Sequence, residues 1–345
     1  MKALFIGLGS IGQRHLRNFK ELAGDKFKVI AYRTTNLNYI IKDGKVTPCD
    51  SLSDYYGFTE YMSFEDALDQ KPDIGFICNP SKLHLETALR IAECGTHIFI
   101  EKPMATDTKL LNKLENIIRQ KRLITMIGYQ SRFHPCVQEV KRIIAKKEFG
   151  KVISADFNWA TYLPDHHSYE DYRKGYAARK DLGGGVTFCL SHELDLIQYL
   201  LGLPVTVYAI KGATSRLEVD VEDTISALFK SNDKKRIFPV SLNLSFTQGV
   251  EQRHFSILME DALLECDLQN NWLRTTNHKS KKIYKKEYKN LKRNDLFLEE
   301  MKHFIYSVIK KQETDIPLDE GKKSLFMALA IHKSLENRSI AEILL

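Results

Sequence analysis

The sequence contains no paired cysteine motif and no long hydrophobic run. Six cysteines are scattered through 345 residues without a C-x-x-C pair or a nearby histidine cluster. A disulfide framework or a zinc site normally shows such spacing, so we expect neither, and we expect reduced thiols. No segment approaches the ~20 apolar residues that cross a bilayer. The short apolar run before Gly7 is far too brief for a signal peptide. We therefore expect a soluble, cytoplasmic protein with no membrane or metal partner.

The sequence also lacks a strong excess of charge of one sign. Lysine and arginine number 51 against 44 acidic residues, which gives a net charge of +7. Much of the excess lies in residues 279–293 (KSKKIYKKEYKNLKR). This run favours a solvated strand edge or loop, and the alternative is a role in attracting an anionic substrate. Because no recognised module accompanies the charge, nucleic acid is not an expected partner.

The first third of the chain alternates short apolar runs with helical patterns. The candidate strands are residues 3–7, 28–33, 74–78, 97–100 and 125–128, with helices at 81–93 and 109–121. Strands that alternate with helices are typical of a parallel sheet with right-handed crossovers. We predict an α/β Rossmann domain with a doubly wound parallel sheet over residues 1–122.

The pattern changes in the second part of the chain. A helix at 135–147 leads to a strand at 152–162, a loop, and a helix that begins near Gly185. Repeated strands without a long helix follow from 205 to 276 and predict a mostly antiparallel sheet. Two amphipathic helices, the second at 318–337, close the chain. We predict an α+β domain with a large open sheet over residues 123–345, whose C-terminal helix can pack back on the first domain.

A glycine-rich turn stands between the first strand and the first helix. Gly7, Gly9 and Gly12 form a G-x-G-x-x-G pattern in the context that dinucleotide binding requires. Gly7 permits the tight turn, Gly9 lets the pyrophosphate approach the backbone, and Gly12 lets the helix pack on the strand. The amides at the helix start, at Ser10 and Ile11, then face the phosphates. The alternative is a glycine-rich turn without a ligand.

The end of the second strand bears on the choice of cofactor. A carboxylate about 20 residues after the turn normally holds the ribose 2′-hydroxyl of NAD. Arg33, Thr34 and Thr35 stand there instead. They favour a 2′-phosphate and therefore NADP(H) over NAD(H). The alternative is that Arg33 stacks on the adenine and accepts either cofactor.

Two later strands end in polar residues that are expected at the ligand crevice. Asn79 and Pro80, with His84 in the following helix, come after one buried strand, and Glu101, Lys102 and Pro103 come after the next. Lys102 could polarise a substrate oxygen or relay a proton if burial lowers its pKa. The alternative is an ordinary surface lysine.

Several motifs in this order resemble one family. They are the glycine turn at 7–12, Asn79-Pro80 with His84, Glu101-Lys102-Pro103, residues 128–133 (GYQSRF) and residues 183–195 (GGGVTFCLSHELD). The chain resembles the glucose–fructose oxidoreductase / inositol dehydrogenase / rhizopine catabolism (Gfo/Idh/MocA) family. The match is tight for residues 1–135 and the motif at 183, and loose beyond residue 203.

The resemblance implies roles for individual residues. It makes Lys102 the catalytic lysine and His192 the histidine that exchanges a proton opposite the hydride. Asn79 and Pro80 would flank the nicotinamide ribose, with Glu101 and Gln130 beside the cofactor and Arg132 near the domain interface. A core histidine with a satisfied hydrogen bond is the alternative for His192.

The chain departs from the family pattern near that histidine. The family usually has an aspartate three or four residues earlier, where this chain has Cys189. On one continuous helix, Cys189, His192 and Asp195 would share a face. Asp195 could therefore replace the missing carboxylate, or the carboxylate is absent.

Residues 162–180 (YLPDHHSYEDYRKGYAARK) supply candidate substrate contacts. A loop rich in aromatic and basic side chains can bind hydroxyls and an anionic group. The alternative is a solvated crossover or oligomer arm. The candidates for substrate contacts, here and nearby, are Arg132, Tyr162, His166, Tyr176, Arg179, Cys189 and Asp195.

The resemblance implies an NAD(P)-dependent oxidoreductase that acts on a secondary alcohol or ketone of a sugar. The loop and the Ser-His-Glu-Leu-Asp variant resemble bacterial members of cell-surface sugar biosynthesis, which suggests a nucleotide-linked or acidic sugar. The alternatives are a glycosidase with tightly bound NAD and a sugar-sensing regulator without turnover. The resemblance also implies a homodimer or homotetramer.

Overall fold

The computed structural model of the chain describes residues 1–24, 27–34, 38–42, 44–212, 215–233 and 236–345, and its first part is a doubly wound α/β unit. Strands and helices alternate along it, as predicted. The elements are β1 (Lys2–Ile6), α1 (Ser10–Ala23), β2 (Lys28–Tyr32), β3 (Tyr39–Lys42), β4 (Lys45–Pro48), α2 (Leu52–Tyr56), β5 (Thr59–Tyr61), α3 (Phe64–Asp69), β6 (Ile74–Ile77), α4 (His84–Glu93), β7 (His97–Glu101), α5 (Leu111–Lys121) and β8 (Thr125–Gly128).

Six of these strands form one parallel sheet in the order β5-β2-β1-β6-β7-β8. Buried aromatic side chains hold its centre, where the rings of Phe5 and Phe76 stack at 4.5 Å. The direction in which successive strands are added reverses between β1 and β6. Ligands of open parallel sheets bind in the crevice at such a reversal, outside the carboxyl ends of the strands. β3 and β4 form a separate antiparallel hairpin.

The first sheet extends beyond the boundary predicted after residue 122. β8 pairs in parallel with β7, with Ile98 opposite Thr125 and Glu101 opposite Gly128. The helix α5 and this strand complete one crossover of the parallel sheet, so the strand belongs with the first domain. The parallel sheet therefore runs to Gly128.

The second part forms a large sheet flanked by helices. Its elements are α6 (Pro135–Lys146), β9 (Val152–Tyr162), α7 (Leu163–His166), α8 (Val186–Cys189), α9 (His192–Leu201), β10 (Thr206–Lys211), β11 (Thr224–Asp233), β12 (Arg236–Ser245), β13 (Thr247–Met259), β14 (Ala262–Asp267), β15 (Trp272–Asn277), β16 (Ile283–Glu287), α10 (Arg293–Lys310), α11 (Leu318–Asn337) and β17 (Ala341–Glu342). The strand order is β16-β15-β14-β13-β9-β12-β11-β10-β17. Neighbours pair antiparallel except β9 and β12, which are parallel. The predicted mostly antiparallel sheet is confirmed.

The basic run at 279–293 divides between two environments. All five residues of β16 are exposed at the sheet edge, where Lys285 lies 5.0 Å from the ring of Trp272. This part is the solvated strand edge that the sequence favoured. Arg293 instead begins α10, a helix that packs on the first sheet.

The two C-terminal helices cover the first sheet. Phe304 of α10 packs its ring 5.7 Å from Phe76 and 5.6 Å from Phe99. A Cβ on Gly321 of α11 would lie 2.2 Å from Ile127, so the helix touches β8 directly there. Because the last helices complete the core of the first domain, the two sheets are fixed against each other. In the described part of the chain, no helix is both long and apolar enough to cross a membrane.

Candidate active site at the carboxyl edge of the parallel sheet

The turn between β1 and α1 has the shape that a pyrophosphate requires. Gly7 has a φ of +85°, and a Cβ there would lie 2.8 Å from the backbone of residues 78 and 79. A Cβ on Gly12 would lie 2.0 Å from the carbonyl oxygen of Gly7. A Cβ on Gly9 would meet no atom within 4 Å. The cradle is therefore open at Gly9, beside the first amides of α1 at Ser10 and Ile11, and it fits a dinucleotide.

The end of β2 carries an ion pair that the sequence did not reveal. Arg33 is buried and donates to the carboxylate of Glu60 on β5 at 2.9 Å. Thr34 is exposed, and Thr35 lies outside the described residues. Glu60 could not be found from the spacing of the turn motif, because it arrives on a short neighbouring strand rather than on β2.

His84 connects the two polar loops at the ends of β6 and β7. Its Nε2 lies 2.8 Å from the carbonyl oxygen of Asn79 and its Nδ1 lies 2.8 Å from that of Pro103. Asn79 donates from Nδ2 to Thr87 at 2.9 Å, whereas its buried Oδ1 has no hydrogen-bond partner in the structure. A buried amide oxygen rarely stays unsatisfied. Asn79 Oδ1 is thus suited to accept a hydrogen bond from a ligand hydroxyl, while Pro80 follows it at the crevice.

Glu101 is held by a histidine that the sequence analysis missed. Nε2 of His15 lies 2.5 Å from its Oε1, and the amide of Lys102 donates to its Oε2 at 3.0 Å. A Cβ on Gly128 would lie 3.1 Å from Oε1, so a larger residue would crowd the carboxylate. Gln130 is buried just after that glycine. His15 stands three residues after Gly12 on the buried side of α1, and this position was the available signal.

Lys102 reaches from β7 toward the second domain. Its Nζ donates to the carbonyl oxygen of Cys189 at 2.8 Å. Burial lowers the pKa of Lys102, and the positive charges of Arg293 and Arg253 lower it further, against the opposing effects of Cys189 and Glu101. Lys102 is thus a half-buried lysine whose amine is held by a backbone carbonyl oxygen, which disfavours the alternative of an ordinary surface lysine.

His192, the first residue of α9, lies between two aromatic rings. Its ring centroid is 5.6 Å from Tyr129 and 6.0 Å from Trp159. Its side chain is buried, and Nδ1 has no hydrogen-bond partner in the structure. Burial holds the pKa of His192 well below 6.5, and the charges of Lys102 and Arg253 act in the same direction. The imidazole is therefore neutral at pH 7, and the core histidine with a satisfied hydrogen bond is not what the structure shows.

The expected alignment of Cys189, His192 and Asp195 does not occur. The helix is interrupted between α8 and α9, so the three residues do not share a face of one helix. The carboxylate of Asp195 is bound by Arg132 through two hydrogen bonds of 2.7 and 2.9 Å. Both partners are buried, and Gln198 donates to the same carboxylate at 3.0 Å. Asp195 and Arg132 therefore form a packed ion pair near the domain interface, and Asp195 does not orient His192.

Cys189 occupies the position of the family's aspartate without replacing its charge. Burial raises the pKa of the Cys189 thiol to about 12, and its side chain meets the hydroxyl of Tyr176. A neutral thiol cannot hold an imidazolium as a carboxylate does.

Only some of the predicted side chains of the loop 162–180 lie near the candidate site. Tyr176 is half-buried, with its hydroxyl against the side chain of Cys189, and the pKa of His166 is lowered first by burial and then by the charges of His167 and Lys102. Nε2 of His166 is 3.1 Å from the hydroxyl of Thr161. Arg179 is exposed and pairs with Asp181 at 2.5 Å, and Tyr162 is also exposed. Tyr176 thus lies beside Cys189, whose carbonyl oxygen Lys102 binds, and the charge of Lys102 acts on His166, whereas Arg179 faces solvent.

The sequence analysis also missed a group of residues around Arg253, on the large sheet of the second domain. Arg253 of β13 donates to Glu193 at 2.7 Å and to Ser131 at 2.9 Å. Its guanidinium lies 4.1 Å from the ring centroid of Trp159, whose indole nitrogen donates to Glu251 at 3.0 Å. No local pattern announces these partners, because they meet only through the pairing of β13 with β9.

Two family models match this chain. Residues 1–129 match the model described as "Oxidoreductase family, NAD-binding Rossmann fold" (GFO_IDH_MocA), and residues 137–265 match "GFO/IDH/MocA C-terminal domain". The two matches together span well over half of the chain.

Curated relatives are similar at low identity. The "Uncharacterized oxidoreductase YrbE" of Bacillus subtilis (strain 168) is 26% identical over 216 residues, which is 60% of this chain and 56% of that protein. The chain thus aligns with only about half of that relative's length. The myo-inositol 2-dehydrogenase of Thermotoga maritima is 21% identical over 98% of this chain and 97% of its own length.

Solved structures share the fold along the entire chain. A levoglucosan dehydrogenase in complex with NADH and levoglucosan superimposes with a TM-score of 0.85 at 15% identity, covering 100% of this chain and 99% of that one. The WlbA dehydrogenase from Bordetella pertussis, in complex with NADH and UDP-GlcNAcA, gives a TM-score of 0.80 at 20% identity with the same coverage. At identities of 15% and 20%, the likeness to these structures shows a shared fold only.

Proposed function

Because this chain belongs to the Gfo/Idh/MocA oxidoreductase family, we propose that it transfers a hydride between a nicotinamide dinucleotide and a secondary alcohol or ketone of a sugar or sugar derivative. The observation that supports this most is the meeting of Lys102 with the His192 segment beside the dinucleotide turn. Lys102 Nζ binds the carbonyl oxygen of Cys189, three residues before His192, and the charge of Lys102 acts on the imidazole.

The chain's own residues would bind, orient and move a proton in this reaction. A nicotinamide ring, when bound, supplies the hydride chemistry. The glycine cradle and Asn79 position the dinucleotide, while His84 ties the Asn79 loop to the loop that carries Lys102. Lys102, whose pKa is lowered by burial, accepts the hydroxyl proton in oxidation and returns it in reduction. Neutral His192 hydrogen-bonds the same substrate oxygen.

We test these roles with the variants Lys102→Ala and His192→Ala. Loss of a positioned proton carrier is expected to lower kcat by about 100-fold or more. The Kd of the dinucleotide, measured by isothermal titration, should change less than about threefold, because neither side chain builds the glycine cradle. Lys113→Ala, an exposed lysine on α5, is the matched control. Full turnover in both site variants would contradict the proposal. Turnover of a glycoside with retained NAD and no net reduction would instead favour the glycosidase.

The finer choice of cofactor depends on Arg33. The lack of a carboxylate at the end of β2 supports NADP(H), and the pairing of Arg33 with Glu60 keeps NAD(H) as the alternative. A 2′-phosphate would compete with Glu60 for the guanidinium. Glu60→Gln should therefore lower the Kd of NADPH relative to that of NADH, by titration of both cofactors. An unchanged ratio would remove Arg33 from phosphate recognition.

We also propose a nucleotide-linked or acidic sugar, of the kind used in bacterial cell-surface polysaccharide synthesis, as the substrate, and a cytoplasmic homodimer or homotetramer as the working form. The similarity in fold to WlbA with bound UDP-GlcNAcA supports the substrate class. Exposed apolar side chains on the large sheet, among them Tyr208, Ile210 and Leu228, support self-association.

A further inference from the structure

Arg253 of β13 is bound to the residue that follows His192. Its Nε and Nη2 donate to the two carboxylate oxygens of Glu193 at 2.7 and 3.3 Å. The Arg253 side chain is 14% exposed and that of Glu193 is 3% exposed, so both charged groups lie largely out of water. A bidentate pair of an arginine with a carboxylate fixes the orientation of both partners. Arg253 therefore holds the first turn of α9, which His192 opens.

Arg253 also contacts the two segments that supply aromatic rings around His192. Its guanidinium lies 4.1 Å from the ring centroid of Trp159, the residue opposite it in the register of β9 and β13. The ring of Trp159 is in turn 6.0 Å from that of His192. Nη2 of Arg253 donates to Ser131 at 2.9 Å. Ser131 follows by two residues Tyr129, whose ring lies 5.6 Å from that of His192.

The position of the imidazole depends on these neighbouring segments. Tyr129 and Ser131 come directly after β8 of the parallel sheet. Trp159 and Glu193 lie on β9 and α9 of the second part of the chain. Among the residues that the structure describes, none forms a hydrogen bond with Nδ1 of His192. Packing of the surrounding segments, rather than a bond at this nitrogen, therefore orients the ring, and Arg253 contacts all three segments.

We propose that Arg253 is a positioning residue that joins Glu193, Trp159 and Ser131 and thereby holds His192 in place for its hydrogen bond to the substrate oxygen. This inference rests on the proposed function, because Arg253 acts through the histidine that is assigned there to the substrate. Arg253 itself needs to touch neither the substrate nor the cofactor.

A similar cluster on the same sheet supplies a matched control. Arg274 of β15 binds Glu265 of β14 through two hydrogen bonds of 2.7 and 2.6 Å. Its guanidinium lies 5.8 Å from the ring centroid of Trp272, and its side chain is 43% exposed. Arg274→Met therefore removes an ion pair of the same residue types at a more exposed position.

The first test follows the imidazole itself and needs no substrate. Burial lowers the pKa of His192 most, and the positive charges of Lys102, Arg253 and Arg293 lower it further. Arg253→Met removes one of these charges, so we expect His192 to take up its proton at a higher pH than in the wild type. NMR of carbon-13-labelled histidine in the NADH-loaded protein, assigned with His192→Asn, measures this titration. Arg253→Lys should keep most of the wild-type behaviour, and Arg274→Met should keep all of it.

The second test asks whether Arg253 acts through His192. NADH formation is measured with D-glucose, D-glucuronate, UDP-glucose and UDP-glucuronate. We expect Arg253→Met to lower kcat by about 10- to 100-fold with KM within about threefold, because a misplaced group mainly slows the chemical step. In a His192→Ala background, the same change should lower kcat less than about threefold. Arg253→Lys should recover part of the loss.

A second variant keeps the test valid if Arg253→Met does not fold. Arg253→Met leaves the Glu193 carboxylate buried without its partner, which is costly. Arg253→Met combined with Glu193→Gln removes both charges and should show the same low kcat and the same shift in the His192 titration.

The outcomes separate this inference from the proposed function. An unchanged His192 titration, or a loss of kcat that is equally large in the His192→Ala background, overturns the positioning role and leaves the oxidoreductase intact. A lower Tm with wild-type kcat also overturns it, because Arg253 would then serve folding alone. If none of the four sugars is oxidised, the proposed function fails for this panel, and the His192 titration alone supports or overturns the inference.

Discussion

His84 and His192 are buried imidazoles at the two sides of the crevice, and each is 2% exposed or less. Burial lowers the pKa of both, and it does so most strongly for His192. For His84, hydrogen bonds to two carbonyl oxygens oppose this effect. The chain therefore keeps uncharged imidazoles where Lys102 and Arg253 already contribute positive charge.

These lowered pKa values make the folded state sensitive to acid. Well above pH 6.5 the imidazoles are neutral in both the folded and the unfolded chain, so they do not change the free energy of unfolding with pH. As the pH falls below 6.5, the unfolded chain binds protons that the folded chain does not, so stability falls by at most about 1.4 kcal/mol per pH unit for each imidazole. We expect the urea midpoint to fall between pH 7 and pH 5.

The variant His192→Asn removes one of these two groups and should flatten that dependence. Replacement of the exposed His254 by Asn is the control. If the urea midpoint depends on pH equally in the wild type and in His192→Asn, the imidazole of His192 is not held neutral by burial.

At the scale of elements, the glycines at the junction of β1 and α1 serve different purposes. One is required by the fold of the chain, and another leaves room for a cofactor. Gly12 is needed by the chain itself, because a Cβ would lie 2.0 Å from the carbonyl oxygen of Gly7. Gly9 faces open space, so only a ligand would meet a side chain there.

The variants Gly9→Ala and Gly12→Ala should therefore differ. Gly9→Ala is expected to keep the wild-type Tm within about 2 °C and to weaken dinucleotide binding at least 10-fold, since a methyl group would hold the pyrophosphate away from the backbone. Gly12→Ala should lower the Tm and weaken binding together. Thermal unfolding and NADH titration measure both effects. Tight NADH binding by Gly9→Ala would place the pyrophosphate elsewhere.

The helix α10 shows that an element late in sequence can complete an early core. Phe304 is fully buried against Phe76 and Phe99, whereas Tyr306 on the same helix is 51% exposed. Phe304→Ala is expected to destabilise the protein by about 3–5 kcal/mol, because it leaves a cavity under the parallel sheet. Tyr306→Ala, the matched aromatic control, should cost less than about 0.5 kcal/mol. If urea unfolding gives similar losses of unfolding free energy for Phe304→Ala and Tyr306→Ala, the packing of Phe304 against Phe76 and Phe99 is contradicted.

At the scale of the whole molecule, one face of the large sheet presents exposed apolar side chains in the part of the chain that the structure describes. Tyr208 of β10 and Leu228 of β11 are opposite each other in the register, and both are exposed, as is Ile210. Exposed neighbouring apolar side chains on one face of a sheet are typical of an interface.

We expect Leu228→Arg to dissociate the proposed homo-oligomer. Light scattering after size-exclusion chromatography should show a smaller particle, because a buried unpaired guanidinium is costly at an interface. Tyr55→Arg, at an exposed aromatic residue of the first domain, is the control. A wild-type protein that is monomeric at micromolar concentration would remove this face as an interface.

The sequence by itself determined that the first sheet is parallel and the second mostly antiparallel, and it located the dinucleotide turn and the lysine loop. These features are local: the periods of the strands and helices, the glycines at 7, 9 and 12, and Glu101-Lys102-Pro103 lie in short continuous segments. Steric demands on a few neighbouring residues fix such segments. For this reason the alternating strands of the first domain and the antiparallel sheet of the second could be predicted.

Only the tertiary structure decided which side chains act on one another. It broke the expected helix between Cys189 and His192, paired Asp195 with Arg132, and set Glu60 beside Arg33. It also set His15 against Glu101 and Arg253 against Glu193, each pair drawn from distant segments. Charge and burial depend on neighbours in space, and contacts across strands and between domains leave no period in the sequence.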